Sequence, residues 1–338
     1  MMAEKINENL EEDNLFQVDT EFKEEFLGTL KKGTRKFYSY VLKRADLYEK
    51  QIGVSVFDFN MEERDDLLTV QFKNKSQWAF QTVRSPLKNY VDYCMFKNFT
   101  TRNENIFELI LPSSYNKYVN PQAVENSYIP KPRVRELEEL LINEQDKLFI
   151  ELLSWGARGR TEKGNTLEEL INLKVSDVDF ERNTIKLSKN NITKKRVLYV
   201  DDFTTDLVKK TINKRFYVFN NGLKSKKNDE GIYEKTEKGF QINETDYVFR
   251  VPGKNKYGQI DHQLIANRIQ RIQKWTNTPY LNISSLYFSS MIDEAKKRKA
   301  KKGELTRQDY VDINEAFSYG ENGDIYLNKV KEMMSFYI

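Results

Sequence analysis

The sequence predicts a mainly α chain with a small β-sheet, an α+β fold in which a helical domain precedes a mixed one. Three observations predict it. Helical apolar spacing fills residues 20–105 without a strand signal. Between 184 and 200, TIKLS and RVLYV alternate like paired strands. Pro112, Pro121 and Pro130 lie in a polar, linker-like stretch, 106–131, that separates the two patterns.

The elements follow in order. Residues 34–50 (TRKFYSYVLKRADLYEK) set Phe37, Tyr40, Val41, Leu47 and Tyr48 at helical spacing, with bases on the other face. A second helix, 61–72, opens with Glu62, Glu63, Asp65 and Asp66, where the macrodipole favours acids. A third, 76–97, has Ser76 as its N-cap and Pro86 inside, which predicts a break or kink. After the polar stretch come helices at 133–143 and 145–155, then the loop and short helix of WGARGRTEKGNTLEELINLKVSDVDF. The strand pair is joined by the basic link KNNITKK and followed by a helix at 202–216. Residues 221–240 read as a polar insertion or a β-hairpin, and DYVFRV (246–251) as a strand. Helices at 262–275 and 283–302 follow, and 308–337 is helical in pieces. The expected domains are an acidic disordered tail (1–20), a helical domain (21–110), a linker (111–130) and a mixed domain (131–338).

Composition narrows the function. The 338 residues are 39% hydrophobic and 31% charged, as in a soluble globular protein. No apolar run approaches the ~18 residues of a membrane helix, and the acidic, polar N-terminus lacks the features of a secretory signal. Cys94 is the single cysteine, which excludes an internal disulfide and suits a cytoplasmic, reducing location. The acids show no paired spacing with histidine, so neither a metal nor another cofactor is expected. Residues 1–26 carry nine acids and two bases, which leaves a net +11 on residues 27–338. An acidic tail on a basic body is common in nucleic-acid binders, and a merely solvated tail reads the same way.

The order of parts resembles the tyrosine recombinase (phage integrase) family. EELINLKVSDVDF (168–180) is similar to its E-L-x-x-L-x-x-x-D-x-D segment, TIKLSKNNITKKRVLYVDD to its β-hairpin, and LKNYVDYC (87–94) to the end of its helical domain. The likeness runs over roughly residues 20–335. It implies a helical, SAM-like core-binding domain and a mixed catalytic-like domain.

That family cleaves DNA through a tyrosine–phosphate bond. The resemblance implies two arginines on the scissile phosphate, a hairpin lysine, an H-x-x-R histidine, a second His or Trp, and a tyrosine nucleophile. Fixed donors must meet the charge that gathers on the transferring phosphate, and both oxygens need proton transfer. Gly156-Ala157-Arg158 supplies a G-x-R for the first arginine, while counting back from Glu169 puts Thr166 there. Lys189 fits the hairpin lysine, and Tyr326 resembles the nucleophile, with Tyr319 and Tyr337 as rivals among 19 tyrosines. The H-x-x-R place holds Ser284 and Tyr287, and the one histidine, His262, stands upstream, where a capping or surface role suits it. Members of such a site act as a unit, so severe impairment is expected and Arg158, Lys189 and Tyr326 stand as vestigial.

Candidate DNA contacts form clusters. Lys31, Lys32, Arg35, Lys36, Lys43 and Arg44 gather on the first helix and just before it. Gln77, Gln81, Arg84 and Lys88 recur at helical spacing, and Gln and Arg are residue types that read base edges. Arg158 and Arg160 stand in the glycine-bearing loop, and Lys186, Lys189, Lys194, Lys195 and Arg196 occupy an acid-free stretch. Arg250, Lys254 and Lys256 precede a helix carrying Asn267, Arg268, Arg271 and Lys274. The KKRKAKK run reads as a solvated helix end.

These readings lead to a non-catalytic, sequence-specific repressor that binds double-stranded DNA and maintains a prophage. Operator DNA, further copies of the chain on DNA, and a phage-encoded antirepressor or signalling partner are the partners implied; no membrane is. Two alternatives stand beside it: an active recombinase with a 3′-phosphotyrosine intermediate, and a protein-interaction module without DNA binding.

Overall fold

A computed structural model describes residues 16–72, 77–158, 167–188, 195–228, 233–253, 259–317, 331, 334, 335 and 337. The chain forms two compact units, Met1–Val124 and Glu125–Ile338.

The first unit is helical: α1 (Thr20–Gly28), α2 (Lys32–Ile52), a 3-10 turn (Val56–Asp58), α3 (Met61–Asp66) running into a π turn (Leu67–Gln71), α4 (Gln77–Phe96) and a second 3-10 turn (Pro112–Tyr118). α2 buries Val41, Leu42, Ala45 and Tyr48 and stops at Gly53, whose φ of 73° suits glycine. α3 starts on a capping box: Asn60 accepts from Glu62 and Glu63, and Glu63 accepts from the Asn60 N–H at 2.8 Å. Pro86 does not break α4, which runs unbroken as one 20-residue helix. Ser76 lies outside the described residues. The expectation of a bare linker at 106–131 is corrected for its first half. Ile106, Phe107, Ile110, Tyr115 and Tyr118 are buried in the unit's core, and the Tyr118 ring stacks on Phe80 at 4.6 Å.

A charge lies inside this core. The Lys23 Nζ sits 2.8 Å from Asp46 Oδ1 and 2.5 Å from Glu49 Oε2. Glu49 Oε1 accepts the Val56 N–H at 2.7 Å, and the two Asp46 oxygens accept the Gln17 and Val18 N–H groups at 2.8 and 2.9 Å. One buried ammonium thus ties the N-terminal segment and α1 to α2.

The second unit is built on α7 (Glu144–Ser154), nearly all of whose residues are buried. Packed on it are α6 (Lys131–Glu139), α9 (Asp202–Asn213), α10 (His262–Trp275) and α11 (Ile283–Lys302), and α12 (Arg307–Ala316) packs on α11. Two short helices are α5 (Pro121–Glu125), where the first unit gives way to the second, and α8 (Glu168–Ile171) in the second. An antiparallel sheet β1-β2-β3 holds Val178–Asp179, Thr184–Ser188 and Lys195–Tyr199, with Ser188 opposite Lys195. The 221–240 segment is a hairpin, β5 (Leu223–Lys227) with β6 (Tyr233–Lys235), nested within the pair β4 (Phe216–Val218) and β7 (Gly239–Gln241). The predicted helix 202–216 therefore stops at Asn213. The predicted strand 246–251 is not one: Tyr247 bridges Lys174 and Arg250 bridges Gln259, and two bridges to different segments make no ladder.

Between α6, α7 and α9 lies a buried polar knot. Glu151 Oε1 takes Lys131 Nζ at 2.8 Å, Trp155 Nε1 at 3.1 Å, Arg135 at 3.5 Å and the Thr204 hydroxyl. Glu151 Oε2 and both Glu138 oxygens meet no donor among the described residues. Two buried carboxyls with three bare oxygens are reconciled by one shared proton. Burial, and then the charge of Glu151, push the Glu138 carboxyl well above the usual range, so that Glu138 holds it.

Candidate nucleic-acid interface

The loop after α7 turns at Gly156, whose φ is 83°. A Cβ there would fall 2.4 Å from the Phe317 ring, so both the conformation and the space require glycine. The next turn brings Arg158 beside α8. Its N–H donates to Glu169 Oε2 at 2.8 Å, and its C=O accepts the Glu169 N–H at 3.3 Å. The Arg158 guanidinium lies 5.2 Å from the centre of the Tyr287 ring. Tyr287, buried on α11 where the H-x-x-R arginine is expected, donates its hydroxyl proton to the Phe317 carbonyl. Ser284 is half-buried in the first turn of α11, and Asn282 caps that helix. His262 is exposed at the first position of α10.

Arg196, on β3, closes the same region from the other side. It grips Glu169 with two bonds of 2.8 and 2.7 Å and donates to the Gly156 carbonyl at 2.6 Å and the Ala316 carbonyl at 3.0 Å. Burial works against its charge, but the Glu169 bonds outweigh that and hold its pKa above the usual arginine value. The expectation of an Arg196 phosphate contact is therefore corrected: its donors serve the fold.

Three other expected contacts, Arg84, Arg250 and Arg268, turn inward, and Lys88 makes ion pairs at the surface. Arg84 donates to the Phe107 carbonyl at 2.6 Å, the Glu108 carbonyl at 3.2 Å and the Tyr115 hydroxyl at 3.1 Å. Lys88 pairs with Asp92 at 2.9 Å and Glu108 at 3.5 Å. Arg250, 2% exposed, donates to the carbonyls of Thr211 and Lys214 at 2.6 and 2.9 Å, and burial lowers its pKa, helped by Arg215. Arg268 is 3% exposed and faces Asp146 at 3.6 Å.

Others remain outward. Lys31, Lys32, Arg35 and Lys36 are exposed where α2 begins, with Arg35 also donating to the Gly28 and Leu30 carbonyls. Gln81, Lys186, Arg271 and Lys274 are exposed. Lys43 and Arg44 are half-buried, and Arg44 donates to the Tyr40 hydroxyl. Gln77 donates to Asn116 at 2.7 Å, and Asn267 accepts from Gln263 at 3.0 Å. Arg160, Thr166, Lys189, Lys194, Lys254, Lys256, Tyr319 and Tyr326 lie outside the described residues, as does the side chain of Lys195. Tyr337 is described and meets Ser127 at 3.0 Å.

Sequence reasoning missed Phe317 and the polar knot, because their partners lie far away in the chain. Among the described residues, no helix is long and apolar enough to cross a membrane.

Comparison with known proteins agrees with this architecture. Residues 16–97 match the family described as MrpR, N-terminal core-binding domain, and residues 96–336 match MrpR, C-terminal catalytic domain. No curated protein matches the chain. Among solved structures, the chain is similar to XerA recombinase at 14% identity, over 92% of this chain and 93% of that one, with a TM-score of 0.36. It is similar to the XerH site-specific recombinase bound to palindromic difH substrate at 15% identity, over 90% and 76%, with a TM-score of 0.40. It is also similar to the Tn1549 transposon integrase in complex with a circular intermediate DNA at 11% identity, over 94% of each, with a TM-score of 0.38. With both family descriptions matched in order and together spanning almost the whole sequence, the chain belongs to the MrpR family, a core-binding domain followed by a catalytic-type domain.

Proposed function

We propose that this chain is a sequence-specific, double-stranded DNA-binding repressor that maintains a prophage and does not transfer strands. On the sequence it looks like the master repressor of the SPβ group of Bacillus prophages, and the same role is proposed for it. The observation that carries the reading is the Arg158–Tyr287–Phe317 arrangement. Phosphoryl transfer needs several fixed cations around one phosphate. Tyr287, a neutral phenol in the segment that resembles H-x-x-R, donates its hydroxyl proton to a backbone carbonyl, and its ring lies against the guanidinium of Arg158, the G-x-R candidate for the first arginine. The neighbouring Arg196 is saturated by Glu169 and two carbonyls. What is left suits binding: exposed Lys31, Lys32 and Lys36 in one unit, and Lys186 and Lys274 in the other. The loop and hairpin bases Arg160, Lys189, Lys194, Lys254 and Lys256 are proposed to join them on sequence grounds.

Genome-wide mapping of bound DNA, followed by gel shifts on the recovered sites, tests the binding. Discrete sites whose affinity falls with salt are expected, since each phosphate contact releases a counterion. Absence of any shift at low salt overturns the proposal in favour of a protein-interaction module. A suicide DNA substrate tests the chemistry. A covalent complex that disappears in Tyr326→Phe overturns the non-catalytic reading in favour of an active recombinase.

A further inference from the structure

A cavity of about 410 Å³ in the second unit lies between the nested hairpins and α10. Its walls are aromatic: Tyr217 on β4, Phe219 after it, and Phe240 on β7, with Phe219 and Phe240 edge to face at 4.3 Å. Helix α10 supplies Leu264, Arg268 and Arg271. The wall is anchored, because Asn221 accepts the Ile142 N–H at 2.7 Å and donates to the Leu140 carbonyl at 2.7 Å.

The charges in this cavity are out of balance. Arg268 stacks 4.4 Å from the Tyr217 ring, but its Nη1 and Nη2 have no acceptor among the described residues. Asp146 Oδ1 stands 3.6 Å away, beyond hydrogen-bond range and itself without a donor. The other oxygen, Asp146 Oδ2, accepts from the Tyr217 hydroxyl at 2.8 Å and from Asn143 at 3.3 Å. Exposed Arg271 adds a second guanidinium, so among the described residues two cations face one carboxylate. Buried charge left incompletely paired is costly, and an added anion would relieve it. The size is within the range of small-molecule sites, which are mostly apolar with a few polar groups.

We propose that this cavity binds a small organic anion. Its flat apolar body would lie against Phe219 and Phe240, and its charged head would meet Arg271 and, after a slight turn away from Asp146, Arg268. Arginine suits carboxylate and phosphate heads alike. Helix α10 also carries Lys274, so an occupied cavity would bear on a helix proposed above to touch DNA. This effect on DNA rests on the repressor reading, and anion binding measured without DNA lets the two fail separately.

Calorimetry on the full chain at low salt would use 2-naphthoate and 2-naphthyl phosphate as probes, with 2-naphthamide as the uncharged control. Saturable one-to-one binding of at least one anion is expected, with the amide about tenfold weaker or more. The two anions together tell which head the site prefers. Arg271→Gln and Phe240→Ala, both changes at exposed side chains, should each weaken the anion about tenfold while circular dichroism stays unchanged. No saturable binding of either anion, equal binding of the amide, or unchanged affinity in both variants overturns the proposal.

Discussion

Glu138→Gln should remove a pH dependence from the stability of the second unit. In the folded chain Glu138 is 2% exposed and holds a proton against Glu151, pushed up first by burial and then by the Glu151 charge. In the unfolded chain the same carboxyl ionises near its ordinary value, about 4.3. Above that value the folded state binds one proton more than the unfolded state. Stability is therefore complete below the ordinary carboxyl range and falls as pH rises, by about 1.4 kcal/mol per pH unit. Between pH 5.5 and 7.5 that is about 2.7 kcal/mol. The upper limit of the window is set by Lys131, which burial lowers to about 8 and whose release of a proton runs the other way. Glutamine keeps a neutral donor in place of the protonated carboxyl and does not titrate. Urea unfolding of both proteins, followed by tryptophan fluorescence, gives the difference at pH 5.5, 6.5 and 7.5; Trp155 bonds to the same Glu151. The variant should gain on the parent by that amount across the window. A difference that stays flat, or that moves in the parent's favour, refutes the shared proton and means that Glu138 is ionised in the fold.

Three more outcomes follow from the structure. Lys23→Met leaves Asp46 and Glu49 buried without their cation and should cost about 3–5 kcal/mol of first-unit stability in urea; a loss under about 1 kcal/mol would deny the ammonium its central place. Arg196→Gln uncovers Glu169 and the carbonyls of Gly156 and Ala316, and should cost a similar ~3–5 kcal/mol in the second unit's transition. The triple change of Lys31, Lys32 and Lys36 to alanine should leave the melting temperature in place and lower the slope of log K against log salt by about 2.7, or about 0.9 per phosphate contact; an unchanged slope would move the DNA contacts elsewhere.

Much of the fold was legible because its periods are strong. α2, α4, α10 and α11 stand close to where apolar spacing put them, and the β2–β3 pair differs by one residue at one strand. The 246–251 segment misled because burial on all sides gives strand-like composition without a partner strand. Val248 and Phe249 are core residues between two single bridges. The inward arginines had a signal that a charge-based reading passes over. On α10 the buried arc is Ile265, Arg268, Ile269 and Ile272, so Arg268 sits in the apolar spacing. Arg84 stands between buried Phe80 and Leu87 in the same way, and Lys23 beside Phe26 and Leu27. Position on the wheel, not residue type, separates these cations from Lys274. The polar knot was beyond reach, since Glu138 and Glu151 belong to different helices and nothing in one helix shows what the other brings.

The tie between Tyr287 and Phe317 also sets a cost on placing a charge at position 287. An arginine at position 287 would lose the hydroxyl bond to the Phe317 carbonyl and set a second cation where the Arg158 guanidinium now rests on a ring face 5.2 Å away. Without a phosphate between them, like charges at that distance repel. A cation at position 287 is thus a loss of stability unless an anion arrives with it, so the Tyr287–Phe317 tie fixes which charges this corner of the second unit can hold.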